Sequence, residues 1–259
     1  MKVVILCGGQ GTRIRDVADN IPKPMIPVGP APILWHVMKT YAAHGFTEFV
    51  LCLGYKSHTI KEFFLNYQAF TSDFTLTLGR EKAIEYHGDH DESGWKITLA
   101  ETGLDSLTGT RIKRIAKYLG DDQDFLLTYA DGVADIDIKA LVDFHQSHGK
   151  LVTVTGVRPP GRFGELGMED DGSVREFNEK PQATGGCISG GYFVCNRKML
   201  DYIGDDNVML EQDPMRKVVS DGQLMVYRHD GFWQCMDTYR DYTLLNDLWN
   251  SDQAPWRCW

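Results

Sequence analysis

"LCGGQGTRI", residues 6–14, follows directly on the apolar run Val3-Val4-Ile5. A strand that ends in Gly8, Gly9 and Gly11 has little side chain to pack and several backbone N–H groups to spare. Glycines accept positive φ and close backbone approach, so consecutive N–H groups can ring an anion such as a phosphate. Thr12 adds a hydroxyl, and Arg13 brings a planar fork that matches phosphate oxygens. The pattern is G-G-x-G-T-R. It is not the dinucleotide fingerprint G-x-G-x-x-G, and it is not a Walker A loop, which requires Gly-Lys-Ser/Thr. On the glycines alone, an ordinary strand-to-helix turn fits equally well. Arg13 and Lys23 tilt the reading toward an anion site. "PKPM", residues 22–25, holds that lysine between two prolines that stiffen its backbone.

Outward from the loop, strand-like and helix-like segments alternate. "KVVIL" reads as a buried strand, and "ILWHVMKTYAAHG" has helical apolar spacing that Gly45 ends. "EFVLCLGY" is a second strand and "HTIKEFFLNY" a second helix. "DFLLTY" at 124–129 is a third strand, "IKALVDFHQSHG" a helix, and "LVTVTGV" a fourth strand. Such alternation predicts an α/β fold, a mostly parallel, Rossmann-like sheet flanked by helices, with ligands beyond the carboxyl ends of the strands. Residues 80–95 are polar and irregular, an excursion or an oligomer contact. Residues 159–193, with "SVREFNE" and "GGYFVC", read as a β-rich insertion. The tail returns to helix in "YTLLNDLW" and ends in the aromatic "APWRCW", which suits packing or subunit contact. No linker or repeat divides the chain, so residues 1–259 read as one domain.

Composition bounds the function. The chain has 259 residues, 42% of them hydrophobic, enough for a large core. A formal net charge of −9 argues against nucleic-acid binding and suits a small anionic ligand held by a local cluster of cations. The six cysteines show neither C-x-x-C nor zinc spacing and read as reduced thiols of a reducing compartment. Met1 leads straight into a strand, and no apolar run approaches the ~18 residues of a membrane span. A cytoplasmic protein without a membrane partner is expected.

Two acids qualify as metal ligands. Asp131 in "LLTYADG" stands just past an apolar strand, where an Asp before Gly is also a common turn residue. Asp237 in "FWQCMDTYRD" follows another apolar run. Two such carboxylates would suit Mg²⁺, which takes few protein oxygens and completes its shell with phosphates and water.

In this order the motifs resemble the sugar-phosphate nucleotidyltransferases. The resemblance rests on G-G-x-G-T-R after an N-terminal strand, Lys-Pro ten residues on, Tyr-Ala-Asp-Gly, "EKP" at 179–181, "GGYFV" at 190–194 and a late W-x-x-M-D. "PILWHVMKTYAAHG", "TGLDSLTGTRIKRI", "YADGVADIDIKA", "PPGRFGEL" and "FWQCMDTYRD" look like the cytidylyltransferase branch that acts on glucose 1-phosphate. The resemblance spans about residues 1–257, with mild departures at Cys7 and Gln10.

The resemblance implies transfer of a cytidylyl group from CTP to α-D-glucose 1-phosphate, giving CDP-glucose and pyrophosphate for deoxysugar and O-antigen precursors. It implies that Leu6, Cys7, Gly8, Gly9, Gln10, Gly11, Thr12 and Arg13 hold the nucleotide, with Arg13 on the β- and γ-phosphates. Lys23 would stabilise the α-phosphate, while Thr108, Arg111 and Tyr129 line the substrate. Asp131 and Asp237 would bind Mg²⁺, making Arg13, Lys23 and Asp131 the catalytic set. Glu179 would meet sugar hydroxyls, Lys180 the sugar phosphate, and Gly191 would leave room for the hexose. A homo-oligomer is expected.

Three other readings compete. The same chemistry with UTP, dTTP or another sugar phosphate turns on a base pocket that sequence does not display. A catalytically silent, nucleotide-sugar-sensing subunit would be expected to lose Lys23, Asp131 or Asp237, and all three are present. A dinucleotide-dependent oxidoreductase fails for want of the fingerprint and its downstream acid.

Overall fold

The structure is a computed structural model that describes residues 1–9, 21–79, 83–158, 165–168, 174–178 and 187–259. Seven strands build the central sheet: β1 (Val3–Leu6), β2 (Glu48–Leu53), β3 (Lys96–Glu101), β4 (Asp124–Tyr129), β5 (Val152–Val157), β6 (Ile188–Asn196) and β7 (Leu224–His229). Their order is β3-β2-β1-β4-β6-β5-β7. Neighbours run parallel except at β6, which is antiparallel to both β4 and β5.

Every residue of β1 is apolar because helices cover both faces of the sheet. Val3 and Ile5 join one core layer with Val37 and Met38 of α1 (Ile33–Ala43), Leu141 of α5 (Ile138–His148) and Leu245 of α7 (Tyr239–Asn250). Val4 and Leu6 join the opposite layer with Ile112 of α4 (Thr108–Arg114) and Val218 of α6 (Asp213–Ser220). Two further helices, α2 (Ser57–Leu65) and α3 (Tyr67–Thr71), follow β2. Local chemistry sets the helix ends. The Asp137 carboxylate caps α5 by accepting the Ala140 N–H, and Gly149 closes that helix in the left-handed conformation.

Three parts of the sheet differ from the sequence expectation. "GGYFVC" belongs to β6 inside the main sheet, not to an added lobe. What remains of the β-rich insertion, among the described residues, is the antiparallel pair Glu165–Met168 and Val174–Asn178. Strands β3 and β7 form the sheet edges, where half-exposed positions dilute the apolar signal. The irregular stretch at 80–95 overlaps a hairpin of Asp73–Thr77 with Ala83–His87 and runs into β3.

The aromatic tail packs onto α1. Trp256 is fully buried, stacks on Phe232 at 5.6 Å, and donates its indole N–H to Nδ1 of His36 at 3.4 Å. His36 in turn donates from Nε2 to the Val28 carbonyl at 2.8 Å, so both ring nitrogens are committed in the neutral form. Burial pulls the His36 pKa from 6.5 down to about 4. The unfolded chain therefore binds this proton between those values and the folded chain does not. Stability from this site is complete above pH 6.5 and is lost as pH falls toward 4, by on the order of 3 kcal/mol. The Tm of the parent should thus drop more steeply from pH 7 to pH 4.5 than that of His36→Gln. Parallel Tm curves would refute the assignment.

Candidate active site

Chain order reverses across the β1/β4 pair, since connections leave β1 toward β2 and leave β4 toward the other edge. Loops diverge at such a switch point and leave a crevice beyond the carboxyl ends. A cleft of about 370 Å³ opens there, lined by Leu6, Cys7, Gly8, Gly9, Lys23, Pro24, Ser106, Leu107, Thr108, Arg111, Tyr129, Ala130, Asp131, Met209 and Asp237.

Three charged side chains converge on one point of it. Lys23 Nζ lies 2.5 Å from Asp131 Oδ2 and 2.6 Å from Asp237 Oδ1. Asp131 arrives at the end of β4. Asp237 arrives because Trp233–Cys235 pairs with Gly132–Ala134, and the Met236 N–H closes on the Asp131 carbonyl at 2.8 Å. A capping box then fixes the backbone after it. The Asp241 carboxylate accepts from the Asp237 and Thr238 amides at 3.1 and 2.9 Å, while the Thr238 hydroxyl takes the Asp241 N–H. Lys23 sits in the short helical turn Lys23–Met25, with Pro22 extended before it and Pro24 buried behind it.

The electrostatics follow from that geometry. Burial disfavours the Lys23 ammonium, but Asp131 and Asp237 more than offset this and hold its pKa above the ordinary lysine value. One positive charge faces two negative ones, leaving a net anionic oxygen pair around a cation position. Two carboxylate oxygens already gathered on one cation are the donor set a small hard divalent ion takes when phosphates and water supply the rest. No group of three or more His, Cys, Asp or Glu that could hold a metal forms among the described residues.

Arg111 plays a part that sequence reasoning missed. Its guanidinium is buried and donates to the carbonyls of Gly8, Leu53, Gly103 and Leu104 and to the Thr102 hydroxyl, at 2.8–3.1 Å. It ties the segment after β1 to the end of β2 and the loop after β3. A Cβ on Gly8 would stand 2.2 Å from that guanidinium, so the approach requires glycine. Arg111→Ala leaves these acceptors unpaired, and Tm should fall by roughly 6–12 °C for a loss of about 3 kcal/mol. A Tm within 2 °C of the parent, on the order of 0.5–1 kcal/mol, would show that water replaces the guanidinium.

Tyr129 and Thr108 line the cleft and share one partner, Glu211. The Tyr129 hydroxyl donates to Glu211 Oε1, and the Thr108 hydroxyl donates to Oε2 at 2.7 Å. Burial, then the Glu211 charge, push the Tyr129 pKa up. Gly191 has φ +81°, and a Cβ there would meet the Tyr129 ring at 2.8 Å. Of the expected site residues, Leu6, Cys7, Gly8, Gly9, Lys23, Thr108, Arg111, Tyr129, Asp131 and Asp237 therefore share one cleft. Gln10, Gly11, Thr12, Arg13, Glu179 and Lys180 lie outside the described residues. Glu211 carried no sequence signal. Asp241 did, as the fourth residue of the T-x-x-D capping pattern in "TYRD".

Comparison with known proteins agrees with this architecture. The nucleotidyl transferase family pattern matches residues 2–249. The chain is 49% identical over 259 residues to glucose-1-phosphate cytidylyltransferase of Salmonella typhi, covering all of both chains. It is 45% identical over 260 residues to a probable glucose-1-phosphate cytidylyltransferase of Bacillus subtilis, again covering both fully. Among solved structures, HddC from Yersinia pseudotuberculosis shares the fold with a TM-score of 0.68 at 22% identity, over 96% of this chain and 99% of that one. The cleft of Gly8, Gly9, Lys23 and the paired aspartates thus sits on a chain that belongs to the nucleotidyl transferase family.

Proposed function

We infer that this chain is a glucose-1-phosphate cytidylyltransferase: it moves the cytidylyl group of CTP onto α-D-glucose 1-phosphate and releases pyrophosphate. The carrying observation is the convergence of Lys23, Asp131 and Asp237 in a cleft that Gly8 and Gly9 also line, in a chain of this family. An oxygen of the sugar phosphate forms a bond to the α-phosphorus of CTP while the bond from that phosphorus to the β-phosphate oxygen breaks. The attacking oxygen is already anionic, so no protein base or covalent nucleophile is required. The chain has to hold two polyanions in line and neutralise charge that shifts during bond exchange.

Its residues divide that work. Gly8 and Gly9 let the backbone approach the phosphates, and Arg13 binds the β- and γ-phosphates. Lys23 places its ammonium against the α-phosphate, where negative charge grows. Asp131 and Asp237 would hold Mg²⁺, which would supply Lewis-acid charge neutralisation at the phosphates. Glu179 accepts from sugar hydroxyls and Lys180 pairs with the sugar phosphate. Residues 1–259 act as one domain, with one sheet drawing strands from residue 3 to residue 229. We place the protein in the cytoplasm, a reading supported by six free cysteines, Cys187 and Cys258 among them exposed. No helix of the described residues is long and apolar enough to cross a membrane.

A homo-oligomer is part of this reading. In the hairpin, Phe74 pairs with Tyr86 and Leu76 with Ile84, so one face of the ribbon is wholly apolar. Phe74, Leu76 and Ile84 are 42%, 44% and 53% exposed. A lone two-stranded ribbon is marginal in water, and a second copy laid on this face would bury it. Leu76→Asp with Ile84→Asp should lower the mass measured by light scattering to that of the monomer. An unchanged mass places the contact elsewhere.

Pyrophosphate release from glucose 1-phosphate with CTP, UTP, dTTP or ATP tests the activity. CTP should be preferred. Preference for another nucleotide would contradict the assignment.

A further inference from the structure

Hydrogen-bond accounting at the far end of the cleft points to how the base is chosen. This end is walled by Ser106, Leu107, Thr108, Tyr129 and Met209. Its side-chain hydroxyls, and the amides that join it to segment 207–211, are spent within the protein. The Leu107 amide donates to Asn207 Oδ1 at 2.8 Å, the Gly109 amide to the Val208 carbonyl at 3.0 Å, and the Leu210 amide to the Thr108 hydroxyl at 2.8 Å. Ser106 donates to the Thr102 carbonyl at 2.5 Å, and the terminal guanidinium nitrogens of Arg111 are committed to the acceptors described above. The Leu107, Gly109 and Leu210 bonds zip segment 207–211 onto the start of α4 and so bring Glu211 beside the cleft-lining hydroxyls of Thr108 and Tyr129.

Glu211 supplies the opposite kind of group. Each of its carboxylate oxygens takes one hydroxyl, Oε1 from Tyr129 and Oε2 from Thr108, and each retains a lone pair. Both hydroxyls are turned into donors toward Glu211, so they are not available as donors to a base. The hydroxyls of this end are thus committed as donors to protein acceptors, while the Glu211 carboxylate keeps open acceptor sites. Cytosine presents an amino group at position 4, where uracil and thymine present a carbonyl oxygen. A carboxylate accepts from the first and repels the second.

We propose that Glu211, held by Tyr129 and Thr108, accepts a hydrogen bond from the cytosine 4-amino group and is the residue that selects CTP over UTP and dTTP. The proposal rests on the assignment of CTP as substrate. It extends that assignment by naming the group that reads the base. Glu211 touches no reacting atom, so its contribution is to nucleotide binding.

The test compares parent, Glu211→Gln and Tyr129→Phe with CTP, UTP and a CTP analogue lacking the 4-amino group, each with glucose 1-phosphate. An amide can donate to the uracil oxygen, so Glu211→Gln should lower the CTP-to-UTP ratio of kcat/KM by about 10- to 100-fold. The loss should lie in the KM for CTP rather than in kcat. Removing the 4-amino group should penalise the parent strongly and Glu211→Gln little. Tyr129→Phe frees one carboxylate oxygen to wander and should lower the ratio less. Equal losses for CTP and UTP in Glu211→Gln, with the ratio unmoved, would make Glu211 a structural tie and overturn the proposal. A parent that fails to use CTP overturns the substrate assignment itself, and that outcome is visible before any variant is made.

Discussion

Lys23→Ala should fold and melt like the parent yet turn over about 10²–10³-fold more slowly, the usual cost of removing one preorganised charge-stabilising donor. The expectation follows from where the lysine stands. Its ammonium is 2.5 and 2.6 Å from two carboxylates, on a turn braced by Pro22 and Pro24, and its side chain is 13% exposed. A cation so fixed costs little to reorganise when charge shifts onto a neighbouring phosphate. Because Asp131 and Asp237 are themselves 29% and 27% exposed, water can solvate them when the lysine is gone, so stability should change little. Circular dichroism and Tm check the fold, and steady-state kinetics check the rate. Near-parent kcat in a folded variant would remove Lys23 from the mechanism.

The acids carry the second large effect. Asp131→Asn and Asp237→Asn each keep shape and hydrogen bonding but remove a charge that a divalent cation needs. Each should lower kcat/KM by about 10²-fold or more and raise the Mg²⁺ concentration required for half-maximal rate. Asp237 makes the sharper case, because the capping box of Thr238 and Asp241 holds its backbone independently of the carboxylate. Loss of activity in Asp237→Asn with unchanged Tm therefore reports on the charge and not on the turn.

Much of this was legible in the sequence, for reasons that can be named. The strand before the glycine turn is apolar at every position because both faces are covered, and α1, α5 and α7 carry helical periodicity with visible stops or caps. Asp131 and Asp237 stood out because each follows an apolar strand, and Lys23 because two prolines flank it. Strand β6 was misplaced because a buried strand reads alike in any sheet, and only tertiary pairing puts it between β4 and β5. Strands β3 and β7 went unread because edge strands such as "KITLAE" and "LMVYRH" mix polar and apolar residues. The meeting of Asp131 with Asp237 depends on a three-residue pairing of distant segments, Gly132–Ala134 with Trp233–Cys235, too short to leave a pattern. Arg111 was expected to line the substrate, and it does line the cleft. Its hydrogen bonds also run to carbonyls after β1, at the end of β2 and after β3 and to the Thr102 hydroxyl, a role that side-chain type alone does not announce.

The central claim is that Asp131 and Asp237 act as one cation-binding unit facing Lys23. It is tested most directly by kcat/KM as a function of Mg²⁺ for Asp131→Asn, Asp237→Asn and the double variant. Residues that act as a unit are strongly non-additive, so the double variant should be little worse than the weaker single, and both singles should need more Mg²⁺. Losses that multiply, with Mg²⁺ dependence unchanged in either single, would contradict the shared site.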